Sequence, residues 1–135
     1  MPKFHLPIID NQMLADVFVF KGEENNPPHA IIKALFDTGA TRSCITSQLA
    51  KQLTLIPQSK IQILAAHGKP KDCNVYKLKV GFPFPAPNNG LRVEIPSEIE
   101  VAEIDDNPVW KMIVGMDIIQ QGVLVVDSGN YIFSI

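Results

Sequence analysis

Short runs of apolar, β-branched and aromatic residues recur along the chain and are separated by polar or proline-containing segments. Residues 14–20 (LADVFVF) and 31–36 (IIKALF) have the composition typical of strands, and the polar segment between them predicts a surface loop. Further short strands are predicted at residues 44–45, at residues 112–114, and on both sides of a DSGN turn near the C-terminal end. Many short strands of this kind indicate an all-β barrel or sandwich.

Two brief helices and one hairpin complete the predicted elements. Residues 47–53 (SQLAKQL) follow a capping residue and have apolar positions spaced for a short helix, and a second short helix is predicted within residues 115–122 (GMDIIQQG). Extended segments at residues 61–64 and 75–80 flank a small tip, AAHGKPK, which predicts a β-hairpin. We interpret residues 82–90 (FPFPAPNNG), with their prolines, as an irregular loop, and residues 95–104 as one more strand weakened at Pro96.

Length and composition indicate one globular domain over residues 1–135. The 135 residues leave no room for two ordinary domains, and 46% apolar with 19% charged residues is a globular balance. The formal net charge of −2, with no long run of one sign, argues against nucleic acid as a partner, because binding to phosphates needs concentrated Lys and Arg.

The sequence gives little indication of a metal site or of a membrane-spanning helix. Two cysteines, Cys44 and Cys73, and three scattered histidines lack the close ligand pairs of a zinc site, so no metal is expected. The two cysteines could form one disulfide, although free buried thiols suit them better. No window approaches the ~20 apolar residues of a membrane helix, and the N-terminus lacks the apolar core of a signal peptide. The expectation is a cytoplasmic protein without a membrane partner.

The segment Ala34-Leu35-Phe36-Asp37-Thr38-Gly39-Ala40 places a carboxylate where a buried strand ends and the chain turns. The glycine allows close backbone approach and unusual dihedral angles, and the threonine hydroxyl can fix the turn or reach a neighbouring chain. By itself Asp-Thr-Gly is a weak signal, since an ordinary turn after a strand has the same composition.

A second segment, Ile113-Val114-Gly115-Met116-Asp117-Ile118-Ile119, brackets a Gly-x-Asp with apolar residues at the start of the second helix. The ordered pair of segments resembles the retropepsin-like aspartic peptidases, which include the retroviral proteases. The resemblance covers residues 12–135 and implies an acid-protease barrel with a flap hairpin.

The resemblance also implies the roles of particular residues. Asp37 would be catalytic, and the hydrolysis of a polypeptide substrate would need a homodimer in which two copies of Asp37 meet, with no cofactor. The implied supporting groups are the turn residues Thr38, Gly39 and Ala40, the flap residues Ala65, Ala66, His67 and Gly68, and, behind the site, Gly115 and Asp117. Retroviral proteases brace the dimer with a charged pair near Thr41 and Met116, which this chain lacks, and an Arg42–Asp117 pair is a possible substitute.

Several alternatives stay open. The chain could be a dimeric peptide-binding module with weak or no catalysis, a structural barrel with a coincidental Asp-Thr-Gly, or a peptidase that acts mainly on its own precursor. Asp127-Ser128-Gly129 is a second triplet, but only six residues follow it, too few for the second lobe of a pepsin-like monomer, so it is interpreted as a turn. The apolar segments at residues 4–6 and 131–133 are expected to contribute to an intersubunit sheet.

Overall fold

The computed structural model describes residues 2–21, 30–64, 68–96 and 98–135. Eleven strands and two short α-helices lie in these ranges. In chain order they are β1 (Lys3–Pro7), β2 (Met13–Phe20), β3 (Ala30–Phe36), β4 (Cys44–Thr46), α1 (Ser47–Gln52), β5 (Ser59–Leu64), β6 (Pro70–Pro85), β7 (Leu91–Glu94), β8 (Ile99–Ile104), β9 (Met112–Val114), α2 (Met116–Ile119), β10 (Val123–Asp127) and β11 (Asn130–Ser134). No helix in the described part of the chain is long and apolar enough to cross a membrane.

The larger sheet closes into a barrel. Its strands follow the order β2-β3-β9-β4-β8-β6, and β6 returns to pair with β2 through Phe18 and Gly81. The hairpin strand β5 and the short strand β7 extend from β6 outside this ring. The β-branched and aromatic residues at alternate positions of these strands point inward, as the two-residue period of a strand requires. The predicted all-β barrel with short helices is confirmed.

A three-stranded sheet, in the order β1-β11-β10, covers the barrel on one side. Its inward residues join a cluster of aromatic rings with the barrel, and these are Phe4, Phe36, Phe82, Phe84, Tyr131 and Phe133. The ring centroids of Phe36 and Phe133 are 4.8 Å apart in an edge-to-face arrangement, which is favourable for aromatic pairs. This cluster connects the smaller sheet to the end of β3.

Local signals in the sequence predict the two short helices, α1 and α2, correctly. The Thr46 hydroxyl caps α1 by accepting the Leu49 N–H at 3.3 Å, and α2 leads into a turn that ends at Gly122. Ser128 and Gly129 both have positive φ, the geometry of a tight two-residue hairpin turn. The triplet Asp127-Ser128-Gly129 therefore forms a turn between β10 and β11, as predicted.

The prediction of an irregular loop at residues 82–90 was wrong for residues 82–85. Strand β6 continues to Pro85 and pairs with β7, so that Phe84 lies opposite Arg92. Phe82 and Phe84 are fully buried while Pro83 and Pro85 point away from the core. Alternate residues direct their N–H groups to the same side of a strand, so prolines at 83 and 85 leave the bonds of residues 82 and 84 intact. The single strand predicted for residues 95–104 begins only at Ile99.

The terminal segments pair with each other within one chain, and their contribution to an intersubunit sheet stays a prediction. Residues 4–6 and 131–133 are extended, but β1 and β11 pair with each other within one chain, with Lys3 opposite Ser134 and Leu6 opposite Tyr131. Strand β10 pairs with the other edge of β11. Strand β11 therefore has neighbours on both sides and offers no free edge to a second chain.

Candidate active site

Two parallel strands bring the two sequence segments together. Strand β3 pairs with β9 in parallel, and their last residues, Phe36 and Val114, lie opposite each other. The hydrogen bonding between these strands extends one residue further, because the Asp37 N–H donates to the Val114 carbonyl at 3.0 Å. Asp37 and Gly115, which are far apart in the sequence, thus leave the sheet side by side.

The Asp37 side chain is half-buried and is held by its own turn. Its Oδ1 accepts the Gly39 N–H at 2.9 Å, and its carbonyl accepts the Ala40 N–H at 3.2 Å. Thr38 is exposed. Gly39 does not have the positive φ that the sequence suggested, so its conformation is open to other residues. A Cβ atom at this position would lie 3.2 Å from Asp37 Oδ1, so glycine leaves the carboxylate room.

Gly115 allows the second segment to pack directly against the turn. A Cβ atom on Gly115 would come within 2.8 Å of the Arg42 carbonyl carbon and 2.9 Å of the Ala40 oxygen. The next residue, Met116, donates its N–H to the same Ala40 oxygen at 2.8 Å. Close backbone contacts therefore help to hold the start of α2 against the turn that carries Asp37, and only glycine fits there.

Asp117 anchors the chain beyond the turn through Ser43. The Ser43 N–H donates to Oδ2 at 2.9 Å and the Ser43 hydroxyl donates to Oδ1 at 2.7 Å. The same hydroxyl accepts the Gly115 N–H at 2.9 Å, and the Ile118 N–H donates to Oδ1 at 2.9 Å. This closed network supports the prediction that Gly115 and Asp117 lie behind the turn.

The suggested Arg42–Asp117 pair is absent from the described residues. Both Asp117 oxygens bind Ser43, and Arg42 Nη1 is buried without a hydrogen-bond partner in the described ranges. Ser43 is fully buried, and the sequence analysis missed it. A small hydroxyl residue following the Asp-Thr-Gly turn was the only available signal, and such residues are too common in loops to be singled out.

A cavity of about 540 Å³ opens beside the turn. One wall consists of the residues that follow Asp37, and the other is β5. The lining residues are Gly39, Ala40, Thr41, Arg42, Cys44, Ile61, Gln62, Ile63 and Leu64. The mixture of apolar side chains and exposed strand backbone suits an extended peptide, which can add to a strand while its side chains enter pockets.

Cys44 lines this cavity as a neutral thiol. Burial, and secondly the negative charge of Asp117, raise the pKa of Cys44 to about 11. A thiol of this kind is a poor nucleophile at neutral pH, because the thiolate is the reactive form. Both Cys44 and Cys73 are free, and Cys73 is buried, which agrees with the preference for free thiols.

The predicted hairpin is present as β5 and β6, with Leu64 opposite Pro70 at its outer end. Of the four residues predicted at its tip, Ala65, Ala66 and His67 lie outside the described residues. Gly68 is described and has φ +81°, a conformation that glycine adopts without strain. Residues 61–64 of β5, the part of the strand next to the tip, border the cavity beside Gly39 and Ala40.

A second cavity, of about 350 Å³, contains none of the predicted site residues. Its lining is mostly apolar, and the carboxylate of Asp16, its only charged side chain, is 3.3 Å from the ammonium group of Lys33. No group of three or more His, Cys, Asp or Glu in the described ranges could hold a metal ion. The turn at Asp37 and the adjoining cavity are therefore the best candidate for a site of chemistry.

The barrel, the hairpin and the two segments packed at the end of β3 define the fold of the retropepsin-like aspartic proteases, and this chain has that fold. The crystal structure of a retropepsin-like aspartic protease from Rickettsia conorii superposes with a TM-score of 0.66 at 19% identity, over 97% of this chain and 89% of that one. The retroviral protease-like domain of Ddi1 from Leishmania major gives a TM-score of 0.47 at 14% identity, over 86% and 81% of the two chains. No protein-family model and no curated protein matches the sequence.

Proposed function

We propose that this protein is an aspartic endopeptidase that hydrolyses extended polypeptides as a homodimer, with residues 1–135 forming one peptidase domain. The observation that carries the proposal is the half-buried Asp37 carboxylate. It lies at the end of β3, in a turn braced from behind by Gly115 and Asp117. The residues that follow it, Gly39 and Ala40, line a cavity of about 540 Å³. The retropepsin-like fold supports the same conclusion.

The chemistry needs two carboxyl groups that share one proton. Two like charges about 3 Å apart cannot both ionise freely, so one group stays protonated while the other is charged. The charged group takes a proton from water as the water oxygen attacks the peptide carbonyl carbon, and the protonated group donates to the carbonyl oxygen. Proton transfer to the nitrogen then releases the amine. One chain has one such aspartate, so a second copy supplies the other by two-fold symmetry.

The surrounding residues have supporting roles in this proposal. Thr38, exposed in the single chain, binds its own copy beneath the pair of aspartates. Gly39 and Ala40 line the floor of the cleft. The flap residues Ala65, Ala66, His67 and Gly68 close over the bound peptide. The reaction uses water and needs no metal or organic cofactor.

The test is cleavage of a diverse peptide library at acidic and neutral pH by the purified chain and by Asp37→Asn. We expect Asp37→Asn to lower cleavage by more than about 100-fold, since the pair of carboxyl groups supplies the acid–base chemistry. Asp10→Asn is the matched control, because Asp10 lies in an exposed turn with positive φ, which asparagine tolerates well. A statine-type transition-state mimic should inhibit the wild type.

The outcomes separate the candidate functions. Cleavage that survives in Asp37→Asn and resists the mimic comes from a contaminant, and the proposal fails. Tight peptide binding by both wild type and Asp37→Asn, with no cleavage by either, identifies the peptide-binding module instead. Equal loss in Asp10→Asn and Asp37→Asn removes the special role of Asp37.

A further inference from the structure

Arg42 is the one charged side chain among the described residues that line the cavity beside the Asp37 turn. The other lining residues are apolar or carry neutral polar groups, and no carboxylate of the described residues is among them. The positive charge of Arg42 is therefore not balanced within the wall of the cavity. A cavity whose charge is of one sign favours ligands of the opposite sign.

The backbone of Arg42 is held in place by contacts with the segment that leads into α2. Gly115 packs so closely against the Arg42 carbonyl group that a Cβ atom would lie 2.8 Å from its carbon. The next residue, Ser43, is bound to Asp117 by hydrogen bonds of 2.9 and 2.7 Å. The position of Arg42 relative to Asp37 is thus set by the same contacts that brace the turn.

The guanidinium group of Arg42 lacks an acceptor in the described part of the chain. Its Nη1 is the only buried side-chain nitrogen or oxygen there that has no hydrogen-bond partner, and no ion pair of the described ranges includes Arg42. A buried charged donor without an acceptor is costly. Arg42 as a whole is only partly buried and lines the cavity, so an acceptor that enters the cavity can relieve this cost.

A carboxylate is the acceptor that suits a guanidinium group best. The planar fork of N–H groups binds both oxygens of a carboxylate at once, and hydrogen bonds between charged groups are stronger than those to neutral carbonyls. An extended polypeptide offers carboxylates on its glutamate and aspartate side chains, whereas its backbone offers neutral carbonyls. Ile61 and Ile63 make the opposite wall of the cavity apolar, which strengthens the attraction between charges inside it.

The hairpin that borders the cavity carries charge of the same sign as Arg42. Lys60 and Lys69 are exposed on its two strands or next to them, and Asp72 is the single carboxylate within the described part of residues 59–76. Lys71 is already paired with Asp105 at 2.8 Å. The excess of positive charge steers acidic peptides toward the cavity.

We propose that Arg42 determines substrate specificity, by binding the side-chain carboxylate of a glutamate or aspartate at a fixed position relative to the cleaved bond. This inference rests on the proposed function, and it narrows the substrate class to acidic extended polypeptides. In the homodimer the two-fold axis supplies a second Arg42, so an acidic side chain is favoured on each side of the cleaved bond.

The first experiment compares glutamate with glutamine at every position of a peptide that the wild type cleaves. At about pH 6 the glutamate side chain is charged, and glutamine has the same shape without the charge. We expect kcat/KM for glutamate to exceed that for glutamine by about 10-fold or more at one position on each side of the cut. Because both peptides meet the same enzyme, the ratio is independent of the folded fraction.

The second experiment measures the same ratio in Arg42→Gln, Arg42→Lys and Arg92→Gln. Arg42→Gln should bring the ratio close to one, and Arg42→Lys should give an intermediate ratio, because lysine keeps the charge but not the planar fork. Arg92, the other arginine of the chain, is paired with Glu94 on β7 and does not line this cavity. Arg92→Gln removes the same charge and should keep the wild-type ratio.

The third experiment measures binding without catalysis. Fluorescence anisotropy of the labelled glutamate and glutamine peptides is recorded with Asp37→Asn and with the double variant that also carries Arg42→Gln. We expect Asp37→Asn to bind the glutamate peptide about 10-fold or more tightly than the glutamine peptide, and the double variant to bind both equally.

The outcomes separate this inference from the proposed function. Equal cleavage of glutamate and glutamine peptides by the wild type overturns the role of Arg42 while the proposed function holds. A glutamate preference that persists unchanged in Arg42→Gln, or that falls equally in Arg92→Gln, also overturns it. If no peptide is cleaved but the binding preference is present and depends on Arg42, the acidic specificity holds and the proposed function fails.

Discussion

Asp117 shows how one side chain can position a site that it does not enter. It accepts three hydrogen bonds, two from Ser43 and one from the Ile118 N–H, while the Ser43 hydroxyl also accepts the Gly115 N–H. The acceptor is a carboxylate, which makes such bonds stronger than neutral ones. Loss of Asp117 leaves Ser43, which is fully buried, with unpaired donors.

We expect Asp117→Ala to lower the free energy of unfolding by about 2–4 kcal/mol, because several donors lose their acceptor. Asp117→Asn should cost less, about 1–2 kcal/mol, since one amide oxygen still accepts but the amide group faces the Ser43 N–H. Urea denaturation at neutral pH measures both. A double-mutant cycle with Ser43→Ala should show a clear coupling energy, and strictly additive effects would contradict the network.

At the residue scale the sequence indicated the candidate site residues better than the residues that support them. Asp37, Gly115 and Asp117 stood out because their segments are short, ordered and bracketed by apolar residues. Ser43 and the lining residue Ile63 did not stand out, because their importance comes from contacts with distant strands. The Arg42–Asp117 pair was inferred from the family resemblance and from charge, and hydrogen-bond geometry favoured Ser43.

At the element scale, the close approach of α2 to the Asp37 turn depends on one missing side chain. A Cβ at Gly115 would meet backbone atoms of Ala40 and Arg42 at 2.8–2.9 Å, and backbone cannot move aside as a flexible side chain can. The parallel pairing of β3 and β9 fixes both segments, so neither one can shift without breaking the ladder.

Gly115→Ala should therefore destabilise the fold by about 1–3 kcal/mol, in the range of overpacked cores, and should displace the turn that carries Asp37. Gly90→Ala is the matched control, since its Cβ would lie at an ordinary van der Waals distance of 3.7 Å from its nearest neighbour, the Pro87 oxygen. Thermal or urea unfolding of the two variants tests the comparison. Equal stabilities for Gly115→Ala and Gly90→Ala would show that the contact is not tight.

Most of the elements, but not all of their pairings, could be predicted from the sequence. Strands β2, β3 and β9 and the cap of α1 follow from local periodicity and capping chemistry. The extension of β6 through Pro83 and Pro85 did not follow, because prolines count against a strand unless the side on which its partner lies is known. The pairing of β1 with β11 is a long-range contact that no local pattern encodes.

At the scale of the whole molecule, several buried groups hold their protons more tightly when the chain is folded. Burial is the main cause in each case: it raises the pKa of Cys44 to about 11, and it also raises the pKa values of Cys73, Tyr76 and Tyr131. A hydrogen bond from the Tyr76 hydroxyl to Glu103 adds to the shift of Tyr76.

The folded chain should consequently lose stability in alkali. Because the unfolded chain binds fewer protons than the folded chain once the pH passes the ordinary thiol value of 9.0, the free energy of unfolding falls as pH rises from there toward 11. Urea denaturation at pH 8, 9 and 10 should show full stability at the first value and a progressive decrease after it. Cys44→Ala should show a shallower decrease, and an identical slope would remove Cys44 from the explanation.

The pairing of β1 with β11 has a consequence for how the chain reaches its folded state. The Ser134 hydroxyl donates to the carbonyl of Pro2, which lies 132 residues earlier, and β11 forms the centre of the smaller sheet. During synthesis the first strand must wait for nearly the whole chain to emerge before its partner exists. The pairing of β1 with β11 therefore forms late, and it carries a loop-closure entropy that local pairings such as β10 with β11 avoid.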